Sequence, residues 1–293
     1  FFAFAVGCAP AQKPLTDYVN PMLGTATLWD SVDLGFKPTK RTWGAEVFPG
    51  SSLPNAMVQV SPVTKFRSGA GYQYEDSVIY GFTHTNKGHW NLCHIPLLPV
   101  TGTPTPGDYC SPFSHERESA APGYYQVFLD RYGVDAQLSS TLRCAFHKYT
   151  YPAGAAPAVL ADLQRSNEHV RAWDIRKEGD NVFAGWQQTG EKMYFYAVAN
   201  RPVTGIEPVV EGDREVRIVR FGEGDGALEL RIGFSFVSEE NARENLEAEM
   251  LGKSFAEVRS EATATWNDLL GRIRVEGGTE REKGLFYSIL YRS

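Results

Sequence analysis

His84, His89 and His94, three of the six histidines in the chain, fall within eleven residues. Tyr72, Tyr74, Tyr80 and Trp90 stand beside them. Two chemistries suit such residues. One is metal ligation by imidazole. The other is sugar binding, in which rings stack on C–H faces and polar tips take the hydroxyls. The spacing decides between them. A period of five keeps three side chains on neither one helix face nor one strand face, so a three-histidine metal site is not expected. Sugar binding needs only polar and aromatic side chains on loops above a sheet. His89 and Trp90 are the candidates to face a glycan, with core packing the alternative for Trp90. His84, inside a strand-like run, suits a structural hydrogen bond, with sugar contact the alternative. His94, beside Cys93 and Ile95, suits the core. Glu46, Glu75 and Asp76 read as loop carboxylates that are bonded to backbone or solvated, and no acid–base pair is assigned from them.

The elements that must position these residues are strands. From residue 44 onward short apolar runs alternate with Gly and Pro, as in strands joined by irregular loops. The clearest strand is Leu228-Glu-Leu-Arg-Ile-Gly-Phe-Ser-Phe236, with apolar residues at even positions and polar or Gly residues at odd ones. That alternation predicts one buried and one wet face. Residues 124–129, 142–151, 158–163, 181–186, 193–199 and 215–221 also read as strands, and Gly222 to Gly226 reads as a hairpin. Strands without intervening helices predict a mainly β fold, a large antiparallel β-sandwich.

The pattern changes at Ser238. Glu239 and Glu240 suit a helix start, Ala242, Leu246 and Met250 repeat every four residues, and Gly252 stops the run. Ser254 with Glu257, and Thr279 with Glu282, form capping-box patterns. The first opens a helix with Phe255, Val258, Ala262, Trp266, Leu269 and Leu270 on one stripe. Arg272 to Glu276 reads as a short strand. The second box opens a helix with Leu285, Phe286, Ile289 and Leu290 as its apolar side, cut within the run at Ser293. The expected division is a tether at 1–14, a β-sandwich at 15–237, interdomain elements at 238–275, and the start of a truncated helical domain at 276–293.

Composition narrows the function. A net charge of −6 argues against a nucleic-acid partner. No 18-residue apolar span is present. The opening Phe1-Phe-Ala-Phe-Ala-Val-Gly-Cys8 resembles the end of a bacterial lipoprotein signal, with Cys8 lipidated and the membrane reached only through that anchor; an ordinary secretory segment is the alternative. The expected location is the bacterial periplasm or cell surface. Cys93, Cys110 and Cys144 match no zinc spacing and read as buried free thiols.

Several motifs in order carry a family resemblance. They are Phe48-Pro-Gly50, Pro54 to Pro62 with its Met57-Val-Gln-Val-Ser-Pro core, Gly71-Tyr-Gln-Tyr74 and Gly81-Phe-Thr-His-Thr85. Near the other end stand Asn241 to Glu249, Trp266-Asn-Asp-Leu-Leu270 and Phe286-Tyr-Ser-Ile-Leu-Tyr291. Together they resemble glycoside hydrolase family 92, the calcium-dependent exo-α-mannosidases. The Asp17 to Gly24 stretch resembles that family's opening segment, where the chain enters the first sheet. The resemblance implies inverting hydrolysis of α-linked mannose from glycans by paired carboxylates. In that family the acid, the base and most calcium ligands lie in a C-terminal (α/α)6 domain, so no catalytic or metal residue is assigned here. Family members place a Trp between the Ser-Pro strand and the Gly-Tyr turn. Here Val63 to Gly69 has none, and Phe66 or Arg67 takes its place. A Ser-Gly-x-Gly run with an acidic residue is replaced by Asn86-Lys-Gly-His-Trp-Asn91. Phe66, Arg67, Tyr72, His84, His89 and Trp90 are therefore the substrate-binding candidates. The loop from Thr83 to Asn91 is expected at the end of the sandwich that faces the helical domain. A non-catalytic carbohydrate-binding or scaffold domain is the competing reading. A sugar epimerase of β-supersandwich type is a third, hinted at by the histidines alone.

Overall fold

The computed structural model describes residues 13–27, 35–36, 47–87 and 90–293, with the side chains of residues 86, 87 and 90 excepted. Two large sheets face each other. The first has seven strands in the order Ser51–Ser52, Gln59–Val63, Gly81–Thr83, Leu97–Val100, Ala158–Ala161, Arg214–Phe221 and Val203–Glu211. The second has eight: Ala172–Lys177, Val182–Gln188, Lys192–Ala199, Leu228–Ser235, Cys144–Thr150, Val134–Ser140, Tyr124–Leu129 and Glu118–Ala121. Neighbouring strands pair antiparallel throughout, as between Val182–Gln188 and Lys192–Ala199. The fold is the expected β-sandwich.

Alternation builds the core. In Lys192–Ala199 every second residue is buried, from Met193 to Ala199. Phe82, Phe183, Phe195, Phe234 and Tyr149 are fully enclosed between the sheets. Burying each ring stabilises the fold by about 2 kcal/mol or more. Polar side chains also cross the layer. Ser51 Oγ meets Ser140 Oγ at 2.8 Å, and His84 Nε2 meets His147 Nε2 at 3.0 Å.

Residues 239–292 form three helices: α1, Glu239–Glu249; α2, Phe255–Leu270; and α3, Glu280–Arg292. Both predicted capping boxes form, with the Ser254 and Thr279 side chains accepting from the Glu257 and Glu282 amides. Helix α1 lies on the outer face of the eight-stranded sheet. A Cβ on Gly233 would meet Ala242 O at 2.1 Å and Leu246 Cβ at 2.8 Å. The face of Leu228–Ser235 that alternation marks as wet is thus partly roofed by a helix. Tyr124, Cys144 and Phe146 on that outer face pack with Leu246, Met250, Phe255 and Val258.

Other expectations change. Gly222 to Gly226 does not close a hairpin: Arg214–Phe221 and Leu228–Ser235 belong to opposite sheets, so this segment crosses the sandwich. Residues 272–276 form turns and irregular chain instead of a strand, because no sheet edge receives them. The stretch from Asp17 to Gly24 does not enter a sheet. It continues a 3-10 turn, Leu15–Tyr18, that packs against α2 and α3, where Leu15, Val19, Trp266, Leu270, Tyr287 and Tyr291 form one cluster. Helix α3 buries Tyr287, Ser288 and Tyr291 there and packs Leu290 against the same cluster, while the rest of its apolar side is open, as a cut helix implies, with Leu285 52%, Phe286 36% and Ile289 55% exposed. All three cysteines are free, as read, but Cys110 is only partly buried. Cys8 lies outside the described residues.

Candidate functional site

An open cavity of about 1000 Å³ lies where three loops meet. The first follows Gln59–Val63 and brings Thr64, Lys65, Phe66 and Arg67. The second runs from Gln164 to Trp173, and the third is the Asp213–Arg214 turn. Tyr80 completes the wall.

Its floor is a charged and aromatic stack. The Arg165 guanidinium lies over Phe66, Tyr80 and Tyr109, at 5.3, 5.5 and 5.8 Å from their ring centres. Tyr109 Oη and Arg214 Nη2 each donate to Asp162 Oδ2 at 2.6 Å. Asp162 is fully buried, so both partners are needed to hold its charge. Burial, and then the Asp162 charge, push the Tyr109 phenol well above its ordinary range. Tyr109 therefore stays neutral and donates.

The rim is pinned by one amide. Asn167 Oδ1 accepts from the Arg67 N–H, and its Nδ2 donates to Ser68 O and Asn91 O. That ties the Phe66–Arg67 loop to the base of the ribbon formed by Asn86–Lys87 and Trp90–Asn91. Arg67 has φ +58°, a left-handed conformation that few non-glycine residues adopt. Cys93 and Ile95 share it, at φ +54° and +53°. Such strain persists only where the surroundings hold it. Asn91 Oδ1 holds the Cys93 amide at 2.7 Å and Gln187 Oε1 holds the Ile95 amide at 2.8 Å.

A polar chain leads inward from the wall. Glu168 Oε2 accepts from Thr189 Oγ1 at 2.6 Å, and Thr189 Oγ1 lies 3.0 Å from His94 Nε2. His94 Nδ1 meets Thr85 Oγ1 at 2.9 Å. Burial holds His94 down at about 4 and His84 at about 3. Both are neutral at physiological pH.

Of the sequence candidates, Phe66 and Arg67 line the cavity. Tyr72 does not reach it: the side chain is 1% exposed and donates to Glu118 at 3.0 Å. His84 is fully buried between the sheets, against His147 and Phe234. These two act from within the core, because the motifs that carry them belong to inward-facing chain. His89 lies outside the described residues, as does the Trp90 side chain, although the Trp90 backbone is placed in the ribbon. Glu75 accepts from Thr27 N and Oγ1, and Asp76 from Thr64 Oγ1, as loop carboxylates do. Glu46 is outside the described residues.

Sequence reading missed the Gln164–Trp173 wall. The available signal was a run of polar and charged residues, Gln164-Arg-Ser-Asn-Glu-His169, directly after an apolar strand. Among the described residues no three His, Cys, Asp or Glu side chains gather as a metal site. The cavity's two carboxylates, Glu168 and Asp213, suit hydrogen bonding to hydroxyls, and its rings suit stacking.

Comparison with known proteins identifies the family. The glycosyl hydrolase family 92 N-terminal domain model matches residues 18–244, and the catalytic domain model of that family matches residues 241–293. The α-mannosidase BT3965 of Bacteroides thetaiotaomicron superposes with a TM-score of 0.82 at 26% identity, over 95% of this chain and 41% of that one. The inverting mannosidase BT2199 of the same organism superposes with a TM-score of 0.80 at 26% identity, over 96% and 40%. An uncharacterized secreted glycosidase of Arthroderma benhamiae is 24% identical over 94% of this chain and 41% of its own length. The chain thus spans about two-fifths of the relatives it matches. It comprises their N-terminal region and the start of their catalytic domain, and it belongs to glycosyl hydrolase family 92.

Proposed function

We propose that this chain is the glycan-binding N-terminal part of an exo-acting α-mannosidase. That enzyme hydrolyses α-linked mannose from glycans with inversion. The observation that carries the reading is the loop-lined cavity, where the two segments that depart from the family pattern, at Phe66–Arg67 and at Asn86–Asn91, are tied together by Asn167. A sugar ring stacks on Phe66 and Tyr80. Its hydroxyls meet Glu168, Asp213 and the neighbouring side chains. His89 and Trp90, from the segment that replaces the family's Ser-Gly-x-Gly run, contact the same glycan. The acid and base lie in the part of the relatives that this chain does not span. Inversion requires the acid to protonate the leaving oxygen while the base activates water from the opposite face.

Calcium belongs with that other part. Among the described residues no three His, Cys, Asp or Glu side chains gather at one point, and no step here passes through a metal. The open Leu285, Phe286 and Ile289 face of α3 supports a helical catalytic domain packed there, and speaks against a freestanding binding module. A lipid anchor at Cys8 and a periplasmic or surface location complete the proposal. The secreted relative supports export. Among the described residues no helix is long and apolar enough to cross a membrane.

The test is mannose release from an α-linked disaccharide. The full-length protein should release it and this 293-residue chain alone should not, with or without added calcium. Release by the chain alone, above a mock preparation, would show that acid and base lie within it.

A further inference from the structure

Of the Gln164–Trp173 wall, Asn167 alone does not line the cavity. Its amide turns into the rim and meets three backbone groups of two other loops, accepting from the Arg67 N–H and donating to Ser68 O and Asn91 O. Asn167 is itself anchored, since its N–H donates to Leu92 O at 3.1 Å and the neighbouring Ser166 Oγ donates to the same oxygen at 2.7 Å. The loop that carries Phe66 closes its own base: Thr64 N and Lys65 N donate to Gly71 O at 2.8 and 3.2 Å, and Gly71 N donates to Ser68 O at 3.2 Å. Its tip has no such support. Among the described residues, the bond to Asn167 is the one hydrogen bond that Phe66 or Arg67 makes. Arg67 there has φ +58°, a conformation that a non-glycine residue leaves when nothing holds it. Phe66 precedes it directly, so relaxation at Arg67 moves the Phe66 ring off Tyr80, with which it makes an edge-to-face contact at 5.9 Å between centres.

We infer that Asn167 is a positioning residue for glycan binding. Without touching the sugar, it sets the Phe66 ring and the Asn91 end of the 86–91 segment at one fixed spacing. This rests on the glycan-binding reading above and deepens it, because a binding geometry has to be held to within about 0.5 Å to be productive.

Steady-state hydrolysis of an α-linked mannobiose by the full-length protein tests it, with N167A, F66A and the double variant. N167A should raise KM roughly fivefold or more and leave kcat within about twofold, because the ring it loosens binds ground state and transition state alike. F66A should do the same. The double variant should match F66A alone to within about twofold, since both changes act through one ring. An unchanged KM in N167A, with KM raised in F66A, overturns the inference and leaves the glycan-binding reading standing. A double variant in which the two effects multiply also overturns it, since Asn167 then acts by another route. An unchanged KM in F66A overturns the stacking on Phe66 and the inference with it. If N167A does not fold, N167D is held to the same criteria, as it keeps the acceptor for the Arg67 N–H and loses both donations. Failure of both variants to fold makes Asn167 a stability residue alone and overturns the inference.

Discussion

Gln187 tests how the cavity is held together. Its side chain is fully buried. Its Oε1 accepts from the Ile95 amide at 2.8 Å, and its Nε2 donates to Leu163 O and Arg165 O, both at 2.9 Å. One amide thus joins the strained chain behind the 83–91 ribbon to the start of the Gln164–Trp173 wall. Gln187→Met keeps nearly the same volume and removes all three bonds, leaving one N–H and two C=O groups unpaired. Each buried unpaired group costs about 1–3 kcal/mol. The sum is about 3–9 kcal/mol, against a total stability of about 5–15 kcal/mol. At the low end of that range a chain of this size should melt roughly 10 °C lower. Gln188→Met, on the half-exposed neighbour, should stay within about 0.5 kcal/mol of wild type. Urea unfolding and thermal melts of the two variants give the comparison. A loss below about 1 kcal/mol for Gln187→Met would mean that water replaces the three bonds, and the account of the cavity floor would be wrong.

Three further outcomes follow from the packing. Burial holds His84 at about 3, His94 at about 4 and His147 well below the ordinary range. With depressed folded values, the unfolded chain binds the extra protons. Stability is therefore full above about pH 6.5 and lost as pH falls toward 4, with up to about 2 kcal/mol per histidine gone by pH 5. Urea midpoints that stay flat between pH 7 and pH 5 would contradict this. Trp266 donates to Ser52 O at 2.7 Å and packs on Tyr291. Trp266→Ala should cost about 3–5 kcal/mol and Trp266→Phe distinctly less, read from denaturant curves. Gly233→Ala drives a Cβ into the α1 backbone and should lower stability by about 1–3 kcal/mol or more, detected as protease cutting near residues 239–249.

The β-sandwich was legible because alternation in Met193–Ala199 and Leu228–Ser235 is a local property, set by a two-residue period that the sheet imposes. Both capping boxes were legible for the same reason: donor and acceptor lie three residues apart. What alternation does not carry is the far side of a strand. Nothing in Leu228–Ser235 says that α1 will roof Gly233, or that Gly222 to Gly226 will cross to the other sheet. The amphipathic reading of α3 caught its open side and missed the side that packs. Its Leu and Phe side was read as cut off without a partner and is open, and Tyr287 and Tyr291, each with a polar tip, make the contact with Leu15, Val19 and Trp266. That contact depends on the Leu15–Tyr18 turn, more than 250 residues away.

The site was half legible, and the dividing line is physical. Phe66 and Arg67 could be found because they interrupt a recognisable order of motifs. Tyr72 and His84 stand inside the motifs themselves, and that marks them for the core: the Tyr72 hydroxyl satisfies the buried Glu118, and His84 pairs with His147 across the sheets. Asn167 and Gln187 bear no local mark at all. Each acts through backbone groups 76 to 100 residues away or 22 to 92 residues away, respectively. An amide that holds three strands of irregular chain has no preferred spacing in sequence, because its partners are brought to it only by the completed sandwich. The strained Arg67, Cys93 and Ile95 are likewise conformations that local propensity opposes and long-range hydrogen bonds enforce. Of these, Arg67 lines the cavity, and Ile95 is joined to its Gln164–Trp173 wall through Gln187. A site built this way is tied at its floor by the bonds of Asp162 and Gln187 and is open at its rim.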